Sequence, residues 1–319
     1  MKNEQAAVLA NSDKVIEVAS VTKQYGHICA VDGISLQVAK GEMFGLIGHN
    51  GAGKSTLFKL MLGLVPPTTG EIRVHGVPIR GRNFRQVRRR MGYLPENFVT
   101  YDNLSGLEVL HLFADLKRVP RSSCAALLAR VGLTEAAGRR VSGYSKGMRQ
   151  RLGFAQVLLG SPDLIFLDEP TNGLDPQGIH DLYQILHEVR GEGATIFITS
   201  HVLAEIQERV DRLVILQNGR VAAEGTLAQL RAQHVLPSVI EAMVLFADHT
   251  KIKASLKSMD GLKIEFDSDG VRISCLPGQK VAVLGLLLAT GAAVRNIVIH
   301  EPSLEDLFLG YGGRHVSGH

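Results

Sequence analysis

Gly48-His49-Asn50-Gly51-Ala52-Gly53-Lys54-Ser55, followed by Thr56, fits the pattern G-x-x-x-x-G-K-[ST]. An apolar run at 43–47 precedes it and a helical-looking stretch at 54–64 follows, so strand, loop and helix succeed one another. Glycines in such a loop let backbone N–H groups close around phosphate oxygens without a Cβ in the way. A helix beginning at Lys54 aims its positive dipole end at the same anion. Lys54 then supplies a point charge for the outer phosphates, and the Ser55 hydroxyl can hold Mg²⁺. A plain Gly-rich turn is the alternative, and the G-K-S-T ending between strand and helix argues against it.

The 319 residues are enough for a full core and for two domains, and 45% hydrophobic with 21% charged residues is ordinary globular composition. The net charge of +4 is mild and the basic residues are spread, which argues against a nucleic-acid partner. One dense cluster, Arg80, Arg82, Arg85, Arg88, Arg89 and Arg90, reads as a solvated face, with acidic lipid headgroups as the weaker reading. Cys29, Cys124 and Cys275 lie far apart and form no C-x-x-C pair, so neither a disulfide framework nor a thiolate metal site is indicated. A reducing compartment fits that usage. Residues 1–14 lack the apolar core of a signal peptide and read as a loose tail. The longest apolar stretch, 281–294, is interrupted by glycines and too short to span a bilayer, so a membrane role would come through a partner.

Strands are predicted at 15–20, 34–38, 43–47, 71–75 and 91–95, and Glu96 follows the last of them. From 103 to 133 the leucine spacing turns helical and marks two amphipathic helices, within a helical insertion at about 98–160. Ser145 reads as an N-cap for a helix over 146–159. Two further apolar strands, 164–167 and 195–199, end at Asp168-Glu169 and at Ser200-His201. In a parallel α/β sheet ligands sit beyond the carboxyl ends of the strands, so these residues and the Gly48–Ser55 loop are expected on one edge. A hairpin is predicted at 213–224 around Asn218-Gly219, then a helix at 227–232 that closes the domain.

Beyond Pro237 the composition shifts. Segments at 239–244 (strand or helix), 251–258 (helix), 262–266 and 271–275 (strands), 279–288 (helix) and 294–299 (strand) suggest a small β-α-β-β-α-β unit. A short helix at 303–309 and a flexible end complete the chain. The expected division is therefore a tail at 1–14, a nucleotide-binding domain at 15–236, an accessory domain at 237–310 and a tail at 311–319.

The run 164–176, LIFLDEPTNGLDP, matches the second half of a P-loop site, in which an Asp at a strand end holds Mg²⁺. Asp168 takes that role, and the adjacent Glu169 is placed to orient or deprotonate the attacking water. A surface acidic pair would be the better reading of Asp168 and Glu169 alone, but not beside Gly48–Ser55.

With these motifs in this order, 15–232 resembles the nucleotide-binding subunits of ATP-binding cassette (ABC) transporters. The resemblance implies an α/β P-loop fold with a mixed sheet and a helical subdomain, followed here by a small α+β ferredoxin-like domain. Tyr25 resembles the adenine-stacking aromatic of the family, although a partly buried strand-end tyrosine fits equally well without the rest of the pattern. GYSKGMRQR at 143–151 stands where the family has its signature segment, which brings in Ser145, Lys146, Gly147 and Met148. Asp175 falls in the D-loop and His201 in the place of the switch histidine. Three positions depart from the pattern. Lys146 and Met148 stand where glycine and glutamine are usual, and Glu96 stands where many relatives carry a metal-reaching glutamine.

The resemblance further implies ATP with Mg²⁺, a homodimer closing head to tail around two ATP molecules, Glu169 as base and His201 on the γ-phosphate. A membrane permease subunit would convert closure into transport at the cytoplasmic face of the cell membrane. Four segments, GHNGAGKS, GYLPEN, YSKGMRQRLG and IHEPSLEDLF, also resemble the ATPases of NosDFY-type copper-processing transporters, which serve nitrous oxide reductase maturation. That narrower resemblance implies a NosY-like permease and a NosD-like periplasmic protein. A similar Glu96 and C-terminal S-L-E-D segment occur in exporters of drugs, lipids or polysaccharides, which stays open as the alternative. Soluble cassette ATPases of translation or repair carry two cassettes or a long coiled coil; this chain has one cassette and no heptad run between Lys54 and Asp168.

Overall fold

The computed structural model describes residues 14–233, 237–257 and 259–300. The expected helix at 303–309 and both tails lie outside the described residues, except that Lys14 opens the first strand. The chain divides into two compact units between Leu227 and Ala228, ahead of the expected division at 236/237.

The first unit begins with β1 (Lys14–Tyr25), β2 (Ile28–Ala39), β3 (Met43–Ile47), α1 (Lys54–Met61), β4 (Thr69–Val74), β5 (Val77–Pro78), α2 (Phe84–Arg89) and β6 (Met91–Leu94). It continues with α3 (Gly106–Lys117), α4 (Cys124–Arg130), α5 (Lys146–Leu158), β7 (Leu164–Asp168), α6 (Pro176–Gly191), β8 (Thr195–Ser200), α7 (Leu203–Ile206), β9 (Arg212–Gln217) and β10 (Arg220–Gly225). An antiparallel sheet has the order β2-β1-β4-β5, and a mixed sheet the order β10-β9-β3-β8-β7-β6. In the mixed sheet β9-β3-β8-β7-β6 pair in parallel and β10 is antiparallel.

Strands β3 and β7 are buried along their whole length, which suits central parallel strands covered on both faces. Their register aligns Ile47 with Ser200 and Asp168 with Thr199, so three strands end at one level. Helix α1 is held over this sheet by Phe58, whose ring meets Phe166 at 5.4 Å and Phe197 at 5.2 Å in edge-on geometry. Sequence and packing together thus fix where the loop before α1 points.

Several boundaries differ from the sequence expectation. Strands β1 and β2 run to 12 residues each, longer than expected, and register shifts in their pairing, one of them between Val18 and Val21, break the alternation that marks a strand in sequence. Helix α1 ends at Met61 rather than 64, in a turn where the Leu64 N–H bonds the Lys59 carbonyl at 2.9 Å. Three helices, α2, α6 and α7, have no counterpart among the sequence expectations. The longest of them, α6, starts with Asp175 as N-cap and Pro176 in the first turn and buries Leu182, Tyr183, Leu186 and Val189. Between β6 and β7 stand α3, α4 and α5, the expected helical insertion, with α3 opened by a capping box between Ser105 and Glu108.

The second unit comprises α8 (Leu227–Gln233), β11 (Ser238–Met243), α9 (His249–Leu256), β12 (Lys263–Phe266), β13 (Gly270–Cys275), α10 (Lys280–Ala289) and β14 (Asn296–His300). Most of α8, expected to close the first domain, falls on this side of the division. The order β12-β13-β11-β14, antiparallel throughout, is the split β-α-β arrangement of a ferredoxin-like unit. The segment 239–244, open between strand and helix in sequence, is strand as far as Met243. Its core gathers Ile240, Ile252, Leu256, Ile273, Val283 and Leu287 from sheet and helices.

Candidate nucleotide site

The loop between β3 and α1 needs its glycines for space. A Cβ on Gly48 would lie 2.7 Å from the Leu216 carbonyl oxygen, and one on Gly53, where φ is +103°, would lie 2.4 Å from that of Ala30. His49, Asn50, Gly51, Gly53, Lys54, Ser55 and Thr56 line a cavity of about 350 Å³ together with Ala30, Glu96, Glu169, Asn172 and His201. Ala52 is fully buried behind that wall.

Lys54 is only 6% exposed; its Nζ donates to the Gly48 carbonyl at 2.5 Å and pairs with Glu169 Oε1 at 3.2 Å. Glu169 carries φ of +51°, unusual for a non-glycine residue, at the turn leaving β7. Its Oε2 accepts from the His201 backbone N–H at 3.3 Å and lies 2.7 Å from His201 Nδ1. Asp168 sits deeper, 4% exposed, with Oδ1 accepting from Thr199 Oγ1 at 2.7 Å. Burial pushes its carboxyl up, the Thr199 hydrogen bond opposes this, and the charges of Glu169 and Glu96 add to the rise. Desolvation, with the charge of Asp168, raises the nearby Tyr93 hydroxyl to about 12.

Ser145 caps α5, its hydroxyl accepting from the Met148 N–H at 3.2 Å. Ser145, Lys146, Gly147 and Met148 line a second concavity, about 400 Å³, with Arg151, Gly173, Leu174 and Asp175. The Lys146 stem lies against Gly173 so closely that a Cβ there would meet it at 2.5 Å. Asp175 is the N-cap of α6, accepting from the Gly178 N–H at 2.9 Å. The structure therefore brings His49–Gly51, Gly53–Thr56, Glu96, Glu169 and His201 to one cavity, with Gly48, Ala52 and Asp168 off its lining, and places the signature segment and Asp175 at another.

Tyr25 is not on the wall of the first cavity. It is 45% exposed at the end of β1, with the Lys23 ammonium 4.9 Å from its ring centroid, and Ala30 of β2 lines the cavity instead. Asn172 on the wall and Thr199 behind it were not singled out from sequence. Asn172 belongs to the quoted run 164–176, while nothing in the apolar pattern of β8 marks Thr199.

The ABC transporter family matches residues 31–172. Over 303 residues the chain is 34% identical to the bacitracin transport ATP-binding protein BcrA of Bacillus licheniformis, spanning 92% of this chain and 96% of that one. The chain belongs to the ATP-binding proteins of ABC transporters. As such it is an ATPase coupled to transport, binding ATP with Mg²⁺. The ATPase is also 37% identical over 309 residues to the Nod factor export ATP-binding protein I of Rhizobium meliloti, covering 94% of this chain and 89% of that one. The dimeric structure of a bacterial ABC transporter cassette superposes with a TM-score of 0.62 at 26% identity, over 66% of this chain and 98% of that one. Cassettes of this family dimerise and work with permease subunits.

The residues present fit Mg²⁺. Ser55 and Asp168 offer hard oxygen donors, and Asp168 is a carboxylate whose ionised form burial disfavours and a cation would favour. Among the described residues no group of three His, Cys, Asp or Glu side chains could hold a metal ion by itself. Nor is any helix among those residues long and apolar enough to cross a membrane.

Proposed function

We propose that two copies of this chain close head to tail around two ATP molecules, each site joining Lys54, Ser55, Asp168 and Glu169 of one copy to Ser145 and Gly147 of the other. The observation that carries this reading is the separation of the two half-sites, with Ser145 and Gly147 lining a concavity that shares no residue with the Lys54 cavity. A helix N-terminus open to solvent is suited to meet a phosphate brought by another molecule. ATP then binds the closed dimer better than the open one and shifts the population.

Within each site the Gly48–Thr56 backbone and Lys54 hold the phosphates, while Ser55 and Asp168 hold Mg²⁺, with Glu96 alongside. Bound Mg²⁺ neutralises charge on the phosphate oxygens. Glu169 takes a proton from the attacking water as the β–γ phosphoanhydride bond breaks, leaving ADP and phosphate. His201, in contact with the Glu169 carboxylate, fixes the direction of that base and reaches the γ-phosphate. Tyr25 is kept as an adenine contact that forms only when the nucleotide is bound. Asp175, as cap of α6, holds the loop that faces the partner copy.

The transport reading we favour is export, with the ATPase docked on a separate permease at the cytoplasmic face of the cell membrane. Support comes from the Nod factor export relative, which matches along nearly the whole chain, second unit included. The narrower reading as the ATPase NosF, with NosY-like and NosD-like partners, rests on four sequence segments. One of these lies almost entirely outside the described residues. The cysteines are dispersed, with Cys124 and Cys275 buried, and offer no copper ligand set among the described residues.

Ser145→Arg tests the shared site. Nucleotide binding to the isolated chain should persist while ATP turnover is lost; equal loss of both would contradict it. Purifying the chain with its membrane partners and identifying them separates an export permease from a NosDFY assembly.

A further inference from the structure

We infer that Thr199 is a positioning residue of the ATPase, a single buried hydroxyl that sets both the Mg²⁺-holding carboxylate of Asp168 and the backbone of the base Glu169. This rests on the metal and base roles proposed above. Thr199 lies on β8 directly opposite Asp168 on β7, is fully buried, and follows the apolar run Ile196, Phe197, Ile198.

Its hydroxyl has one proton and makes two bonds, at 2.9 Å to the Glu169 backbone N–H and at 2.7 Å to Asp168 Oδ1. The N–H can only donate, so the Thr199 oxygen accepts there and its own proton must point to Asp168. The direction of both bonds is thus fixed by chemistry.

Two consequences follow for the site. Oδ1 of Asp168 is engaged by the hydroxyl, which orients the carboxylate and leaves Oδ2 as the oxygen for the ion. At Glu169 the left-handed backbone is unfavourable for a side chain with a Cβ and persists only where its surroundings over-determine it. The Thr199 oxygen takes the N–H that this conformation turns inward, while His201 and Lys54 take the carboxylate. Without the hydroxyl, a buried N–H and a buried carboxylate oxygen both lose their partner.

Thr199→Ser and Thr199→Ala form the testing pair, since both lose the methyl group and only the serine keeps the oxygen. Binding of a non-hydrolysable fluorescent ATP analogue to the full chain is titrated with Mg²⁺ and with EDTA, so that no turnover is read. The wild type and Thr199→Ser should bind more tightly with Mg²⁺. Thr199→Ala should lose about tenfold of that gain, the loss of one hydrogen bond to a charged group, while its affinity in EDTA stays within about twofold, a change too small for a lost contact. Steady-state turnover should follow, with kcat falling in Thr199→Ala and recovering in Thr199→Ser.

An equal Mg²⁺ gain in both variants would overturn the role of Thr199, as would equal weakening of Thr199→Ala in Mg²⁺ and EDTA. A wild type with no Mg²⁺ gain would instead overturn the metal site on which the inference stands. Should Thr199→Ala not fold, Thr199→Val keeps the volume, lacks the hydroxyl and is read against the same criteria.

Discussion

Lys54 Nζ and Glu169 Oε1 stand 3.2 Å apart, both side chains 6% exposed, so the proposed phosphate-binding lysine and the proposed base form one buried ion pair. A buried pair is sensitive to removal of one partner because the other charge stays desolvated. His201 Nδ1, 2.7 Å from the second Glu169 oxygen, completes a three-residue chain from the start of α1 to the residue after β8. The lysine, the proposed base and the proposed switch histidine are thus linked through the Glu169 carboxylate.

Glu169→Gln keeps the hydrogen-bonding shape and removes the proton acceptor. ATP binding should survive, kcat should fall by about 10²–10⁴-fold, and closed dimers should accumulate in ATP. Steady-state ATPase assays and size-exclusion chromatography with ATP check both; turnover near wild type would remove Glu169 as base.

The helical insertion carries its own pH signature. Lys117 on α3 donates to the Leu159 carbonyl at 2.8 Å, and burial lowers its ammonium from 10.5 to about 8. Because the folded value is the lower one, the unfolded chain binds the extra proton between these two values. Stability should therefore rise as pH climbs from about 8 towards 10.5, by a contribution on the order of 2 kcal/mol. Lys117→Met should flatten that rise. Denaturant melts at pH 7.5, 9 and 10.5, read as the difference between variant and wild type, measure it.

Phe58 tests the mounting of the loop. Its ring fills the space between α1 and the Phe166 and Phe197 rings, so Phe58→Ala should cost about 3–5 kcal/mol. Nucleotide affinity should fall with it, as the helix bearing Lys54 and Ser55 loses its seat. The relative-stability change comes from a denaturant melt of the first unit's transition; a loss under about 1 kcal/mol would mean the core closes around the gap.

The sequence made much of the site legible because phosphate chemistry imposes a spacing. Gly48, Gly53, Lys54 and Ser55 must fall on one short loop and the helix start behind it, and Asp168 and Glu169 at the end of a buried strand, so a linear pattern carries a three-dimensional result. Thr199 was invisible for the opposite reason. Its partners lie 30 and 31 residues away, and only the register of β7 against β8 reveals them. Helix α6 does carry sequence signals, an Asp-Pro start at Asp175-Pro176 and a helical spacing of the buried Leu182, Leu186 and Val189. Tyr25 shows the converse limit, since a resemblance assigns it to adenine while the fold leaves it half in solvent beside Lys23. The division at Leu227 leaves no mark in composition, which shifts only at Pro237.

The central claim is that one complete ATP site needs residues of two chains. Lys54→Ala and Ser145→Arg should each be inactive when purified alone. Mixed at equal concentration and allowed to exchange, they form heterodimers in which the intact Lys54 half of one chain meets the intact Ser145 of the other, and ATP turnover should return. A mixture as inactive as its components, with heterodimers demonstrated by differential tagging, would contradict the shared site.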